Sequence, residues 1–578
     1  MAIELELTPL NVIAASFGTF LLAYGALSHF IKERLYLGEA PFALLFGIAL
    51  QHYGVPGELK GAPGHGADPL DAFGLGLSRF IIGTQLVLVG VQLPYKYPKT
   101  EWRSLAVLLL PVMTLMWGMT TLVTWLALPD VPVLVALVIA AAVTPTDPVL
   151  SSAIVKGSFA DQYVSPRIRN LISAESGAND GFALPFMFIA ASLLKEETPA
   201  AALKSWVLET CLWSVFGSVV FGAALGYGAN RLLQLAADKH LIDKESFLLY
   251  AVALGVLIVG LGGILATDDL LACFVAGNAL TWDDWYRRET EEDELQNVTD
   301  LICNSVFFTF VGVTVPWSAF NDPALGLTYG NLTLLCVGVL FLRRVPAMML
   351  FYRAIPQIAD SGEALFMGWM APIGAGSIFY TFLILEEFKA ESENADDLRI
   401  RALVKPVIYA LVLSSIVAHT LMVPVIKLGF EWLGIDSIKM YEPAPGEGSL
   451  AGGNESIEQA EDDAYEAGAG PAPGSHHAGS RLSQLSEGAQ QRAVEEHGAY
   501  LSSGKYDPHP SWRISSGHKL GPHVVTRGHD GTDVQQHDFQ PSAWQRNRMS
   551  RASRGSLRGA PRGADYGSLE QGGGGGGH

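Results

Sequence analysis

Apolar residues run in long blocks over the first three quarters of the chain, with polar punctuation too short to fold separately. A bilayer core of about 30 Å needs about 20 mostly apolar residues per helix, fewer where a span is broken and packed inside a bundle. By that rule the pattern predicts thirteen spans, near 10–30, 38–54, 75–93, 104–127, 131–155, 171–194, 209–233, 247–265, 267–281, 299–317, 329–351, 366–387 and 404–428. The fold class is therefore an all-α polytopic membrane protein.

Two spans carry helix breakers at mid-membrane depth: TPTDP, Thr144 to Pro148, in the fifth, and APIGAG, Ala371 to Gly376, in the twelfth. A break frees backbone groups, which lipid cannot satisfy, so it is tolerated only where protein or a polar site surrounds it. The fifth and twelfth spans lie seven apart, as expected if spans 1–6 and 8–13 are inverted repeats whose two discontinuous helices cross near the midplane. That expectation rests on spacing, since no residue identity matches between the halves.

From about Tyr441 the composition turns to Gly, Ser, His and mixed charge with no apolar period, ending in GGGGGG before the last residue. Such a stretch buries too little surface to fold alone and is expected to be a disordered tail. The division is thus a transmembrane domain over 1–430 and a tail over 431–578. The segment 428–440, LGFEWLGIDSIKM, is apolar enough to lie along the membrane face where the tail begins.

Composition changes this picture little. The chain is 49% hydrophobic and 16% charged, and its net charge of −19 comes from acids in loops and tail, with no basic face for nucleic acid. Cys211, Cys273, Cys303 and Cys336 sit in or beside apolar segments without CxxC spacing, and read as packing residues. Glu4 and Glu6 stand where a signal peptide would be basic, so the first apolar run reads as a span. With the N-terminus outside, the odd-numbered loops hold fourteen Lys/Arg and the even-numbered ones eight, which favours a cytoplasmic C-terminus. The loop carrying Lys389, Arg399, Arg401 and Lys405 opposes that bias.

The informative residues are the charges inside spans, because one Asp or Arg at a helix centre costs about 2.5–3.5 kcal/mol even on a lenient insertion scale. The sixth span contains ISAESGANDGF, with Glu175, Ser176, Asn179 and Asp180 in an apolar helix. Residues four apart share a face, so Ser176 stacks with Asp180 as an oxygen pair for a hard cation, and Glu175 stacks with Asn179. Asp147 lies within the fifth span's break, where Thr144, Thr146 and freed carbonyls add oxygens. Arg343 and Arg344 in the eleventh span remain ionised and need a partner, for which Glu175 is the natural carboxylate. Asp268 and Asp269, where the eighth span turns into the ninth, read equally as an ion-path entrance or as a helix N-cap. His29 and His419 lie in or near spans and could respond to pH, although hydrogen bonding is the commoner role of such histidines.

The combination of TPTDPVL, AESGANDG, FVAGNALTWDDW, FLRRVPAM and GWMAPIGAGSIFY, in that order over roughly 10–440, resembles the monovalent cation/proton antiporters, specifically the fungal plasma-membrane Na⁺/H⁺ antiporters. The resemblance implies Asn179 and Asp180 as the family's Asn-Asp pair, Thr146, Asp147 and Pro148 as the Thr-Asp-Pro of its unwound helix, and Glu175 with Arg344 as its structural ion pair. Pro145 stands where family members have alanine. It further implies exchange of Na⁺, or K⁺ and Li⁺, for protons by alternating access, a homodimer in the plasma membrane, roles in salt tolerance and pH homeostasis, no cofactor and no enzymatic activity. The same site suits a K⁺/H⁺ exchanger of the plasma or an internal membrane. A cation channel lacks a TVGYG-like filter here, and an intramembrane aspartyl protease lacks its GxGD.

Overall fold

The computed structural model describes residues 9–53, 69–155, 164–291, 293 and 295–432; most of 428–440 and the tail from 433 onward lie outside them. Among the described residues the secondary structure is entirely helical, with thirteen main stretches and short helical turns at Trp285–Thr290, Trp317–Asn321 and Pro323–Leu325 between them. These are α1 (Pro9–Arg34), α2 (Ala40–His52), α3 (Pro69–Gln92), α4 (97–127), α5 (Val133–Ala142 and Pro148–Val155), α6 (Pro166–Phe182 and Leu184–Lys195) and α7 (199–238). They continue as α8 (Lys244–Leu265), α9 (Asp269–Leu280), α10 (Leu295–Val313), α11 (Tyr329–Leu342 and Val345–Phe351), α12 (Ser361–Trp369 and Ala375–Glu387) and α13 (Ala395–Trp432). Eight of them are long and apolar enough to cross a bilayer, and α2, α9 and the first half of α5 are shorter apolar helices.

Side-chain caps fix several helix starts. Ser165 accepts the Ile168 amide before α6, Asp243 that of Ser246 before α8, Thr328 that of Asn331 before α11, and Asp360 those of Gly362 and Glu363 before α12. Forty residues make α7 about 60 Å long, twice the bilayer core, and it joins the two halves of the chain.

Helix packing carries the two-fold relation. Helix α2 packs along α10, and α3 packs along α9. Shifting every number by seven exchanges these pairs, just as it exchanges α5–α6 with α12–α13, and α4–α5 with α11–α12, all of which are also in contact. Residue types follow suit at the tightest crossings. A Cβ on Gly47 of α2 would overlap the Thr309 carbonyl of α10, and one on Gly312 of α10 would overlap that of Leu44. A Cβ on Gly90 of α3 would lie 2.6 Å from the Phe274 carbonyl of α9, and one on Gly277 of α9 would overlap that of Val87. Each related pair is thus held by reciprocal glycines, a small-residue contact that lets backbones touch in the bilayer. An offset of seven spans, being odd, inverts one half relative to the other.

The basic residues that oppose the charge bias have local work. Arg401 donates to the carbonyls of Leu385 and Phe388 at the end of α12, and Lys405 pairs with Asp71 at 2.6 Å. Cations at a helix C-terminus answer its unpaired carbonyls, whatever side they face.

Candidate functional site

The breaks in α5 and α12 meet one another. Asp147 N donates to Pro372 O at 3.0 Å, joining the unwound backbones directly. The Asp147 carboxylate accepts from the amides of Val149 (2.6 Å) and Leu150 (3.3 Å) in α5, and from the amide of Ala375 in α12. One carboxylate therefore caps the N-termini of both second halves, where the helix dipoles favour negative charge.

Arg343 does the complementary work. Its guanidinium donates to the carbonyls of Val143 (2.5 Å) and Pro145 (3.1 Å) in α5, and to that of Ala371 in α12. The expectation that each arginine needs a carboxylate is corrected here, because interrupted helices supply bare carbonyls that a buried guanidinium can use instead. Arg344 meets Glu175 in a two-point ion pair of 2.5 and 2.6 Å and also donates to Met367 O at 3.0 Å, with both partners buried. A third interruption makes this possible: α11 breaks at Arg343–Arg344 ahead of Pro346, whose missing N–H ends the first half and lets both side chains turn inward.

Helix α6 grips α5 through its small polar residues. Asn179 Oδ1 accepts the Thr146 amide at 3.1 Å, Asn179 Nδ2 donates to Thr146 Oγ1 at 2.9 Å, and Ser176 Oγ lies 2.9 Å from that same hydroxyl. The Ser176 hydroxyl is thus engaged by Thr146. Ser176 and Asn179, three apart, share the face that meets Thr146. Thr144 turns back to its own helix, donating to Ala140 O at 2.8 Å.

Asp180 stands differently. It is 1% exposed, and neither carboxylate oxygen has a hydrogen-bond partner. A Cβ on Gly376 would overlap Asp180 Oδ1, and one on Gly374 would overlap Asp147 Oδ2. The glycines of APIGAG thus break α12 and also give both carboxylates access to it. Tyr380 donates to the Asp180 carbonyl at 2.6 Å, pinning the end of α6's first half to α12.

Asp268 is the N-cap of α9, accepting the Leu271 amide at 3.0 Å, with its second oxygen buried and unpartnered. Asp269 pairs with Arg79 of α3 at 2.9 Å. Of the two histidines, His29 is exposed on α1, whereas His419 is buried against the α12 break. Sequence reasoning did not find the carbonyl-binding role of Arg343, Tyr380 at Asp180, or Ser415 of α13, whose hydroxyl accepts the Ile373 amide at 2.7 Å. Arg343 alone carried a signal, as a second arginine beside the paired one.

Two interrupted helices joined at their breaks, with a buried and bare carboxylate beside the junction, make up the architecture of a secondary transporter. The chain belongs to the transmembrane sodium/hydrogen exchanger family, whose model matches residues 18–428. It is 35% identical over 445 residues to Na(+)/H(+) antiporter 2 of Zygosaccharomyces rouxii, covering 74% of this chain and 54% of that protein. It is 34% identical over 445 residues to the Na(+)/H(+) antiporter of Saccharomyces cerevisiae, covering 74% and 44%. The chain thus spans about half the length of these curated relatives, whose names are those of transporters. Its fold matches that of the sodium proton antiporter MjNhaP1 from Methanocaldococcus jannaschii with a TM-score of 0.51 at 17% identity, covering 72% of this chain and all of that one.

Proposed function

We propose that the protein exchanges Na⁺ for H⁺ across a membrane by alternating access, cation and proton competing for Asp180. The observation that carries this reading is the Asp180 carboxylate, buried with both oxygens bare while Thr146, Asp147, Glu175 and Asn179 are all hydrogen-bonded. A carboxylate at that depth is stable only when its charge is neutralised, by a proton or by a cation, and either one excludes the other.

The neighbours divide the remaining labour. Asp147 joins the site by holding the crossing and by offering a second carboxylate to the ion, Thr146, Ser176 and Asn179 supply oxygens once the cation draws them, and Glu175 with Arg344 holds α6 to α11. The transported ions are Na⁺, and K⁺ and Li⁺ by the same oxygen chemistry, without a cofactor. The bundle works as a homodimer in the plasma membrane, N-terminus outside, with the 431–578 tail cytoplasmic. Asp268 and Asp269 lie on the ion's path at the start of α9.

Reconstitution into proteoliposomes with an imposed proton gradient tests this. Na⁺ uptake coupled to obligatory proton efflux is expected. Cation flux without proton counter-movement contradicts exchange.

A further inference from the structure

A small cleft of about 40 Å³ opens between the α1–α2 turn, α5, α10 and α13. Its polar wall is formed by Glu39, Asn304, His419 and Thr420, and its inner end by Val149 and Leu150. Those last two residues carry the amides that Asp147 caps. The cleft therefore borders the residues that follow the α5 break.

His419 stands where that cleft meets the break of α12. Its Nε2 lies 3.0 Å from the carbonyl of Trp369, the last residue of α12's first half. Its Nδ1 lies 2.8 Å from the carbonyl and 3.2 Å from the hydroxyl of Ser415. That hydroxyl accepts the Ile373 amide, four residues further along the same unwound segment. One imidazole and one serine thus bracket residues 369–373 of α12 from both ends.

The chemistry of the bracket depends on proton count. In the neutral ring, Nε2–H donates to Trp369, and Nδ1 accepts from the Ser415 hydroxyl while facing the Ser415 carbonyl lone pair to lone pair. A second proton, taken from water in the cleft, turns that contact into an N–H donation and ends the hydrogen bond from the Ser415 hydroxyl, which keeps its proton and turns it elsewhere. Carbonyls stand at hydrogen-bond distance from both ring nitrogens, so the doubly protonated ring satisfies more of its surroundings.

The charges around it come from three helices. Glu39 at the start of α2 faces it across the cleft and lies 3.8 Å from Lys32; Arg343 of α11 holds the carbonyl of Ala371; and Asp147 of α5 holds the amide of Ala375. From α10 comes only neutral Asn304, and α13 has no carboxylate or amine within seven residues of His419.

We infer that His419 is a positioning residue for exchange: it holds the unwound segment of α12 in register with Asp147 and Asp180, and its protonation from the cleft makes the transport rate depend on pH on the cleft side separately from the titration of Asp180. The inference rests on the exchange reading above.

The test is Na⁺/H⁺ exchange by the full chain in sealed vesicles of known orientation, with pH varied on the cleft side alone between about 5 and about 8, the range in which a histidine changes charge. His419→Gln retains a donor for Trp369 and cannot titrate; its profile on that side is expected to flatten, and its deficit against wild type to shrink as the cleft side becomes alkaline. Ser415→Ala removes the partner of the neutral ring and is expected to displace the wild-type inflection to higher pH by about half a unit, a threefold change in proton affinity. A profile for Ser415→Ala that superimposes on wild type overturns the inference, also where His419→Gln is inactive at every pH. A His419→Gln profile parallel to wild type overturns it as well. Exchange that survives Asp180→Asn refutes the site reading instead, whatever the His419 variant does.

Discussion

Asp147 and Arg343 occupy opposite sides of one backbone crossing, the carboxylate on the amides of Val149, Leu150 and Ala375 and the guanidinium on the carbonyls of Val143, Pro145 and Ala371. Four half-helix ends are thereby answered by two side chains. Asp147→Asn keeps one acceptor oxygen but loses the charge that serves three amides. It is expected to keep the fold and to raise the KM for Na⁺ about 10- to 100-fold, the cost of about 1.5–3 kcal/mol for a hydrogen bond to a charged group. Initial-rate kinetics in vesicles check this, and an unchanged KM contradicts the role assigned to Asp147.

The Glu175–Arg344 pair has a different signature. Both groups are buried, so removing one partner strands a charge and costs about 3–5 kcal/mol. Glu175→Ala and Arg344→Ala are each expected to lower the melting temperature in detergent and the amount of folded protein. The exchanged pair Glu175→Arg with Arg344→Glu is expected to recover part of that loss. No recovery would show that the pair's surroundings, and not the pair, set stability.

Gly376→Ala places a methyl group onto Asp180 Oδ1, and Gly374→Ala one onto Asp147 Oδ2. Both variants are expected to reach the membrane and to lose most exchange, because the added atom meets the carboxylate and no distant flexible side chain. Vesicle exchange normalised to inserted protein measures it. Gly76→Ala, with open space around its Cβ, is the matched control and is expected to behave as wild type.

The spans were legible because bilayer thickness imposes a length on apolar runs, and thirteen apolar segments correspond to thirteen helical stretches. The breaks in α5 and α12 were legible through TPTDP and APIGAG, since proline and glycine crowded into a few mid-span residues remove amide donors and favour unwound backbone. The interruption at Arg343–Arg344 was not, because FLRRVPAM holds a single proline that a helix start tolerates, and only the inward turn of two guanidiniums shows what it achieves. The engagement of both Ser176 and Asn179 by Thr146 was equally hidden: positions three and four apart share a face, and the sequence does not say which neighbour on another helix meets it. The reciprocal glycines at Gly47 and Gly312, and at Gly90 and Gly277, became meaningful only once the crossings were known.

Low apolar content from about Tyr441 onward gives that region little with which to hold the bundle together. Removal of residues 460–578 is expected to leave basic exchange in place, measured on protein confirmed as inserted. Loss of all transport in such a truncation would give the tail a direct part in the cycle.

The central claim is that proton and cation share Asp180. Asp180→Asn replaces the carboxylate with a neutral amide of nearly the same shape, so the fold has no reason to fail and the exchanged charge has nowhere to sit. In proteoliposomes under an imposed proton gradient, the account predicts that this variant inserts normally and shows no Na⁺-dependent proton flux; flux equal to that of wild type would contradict it.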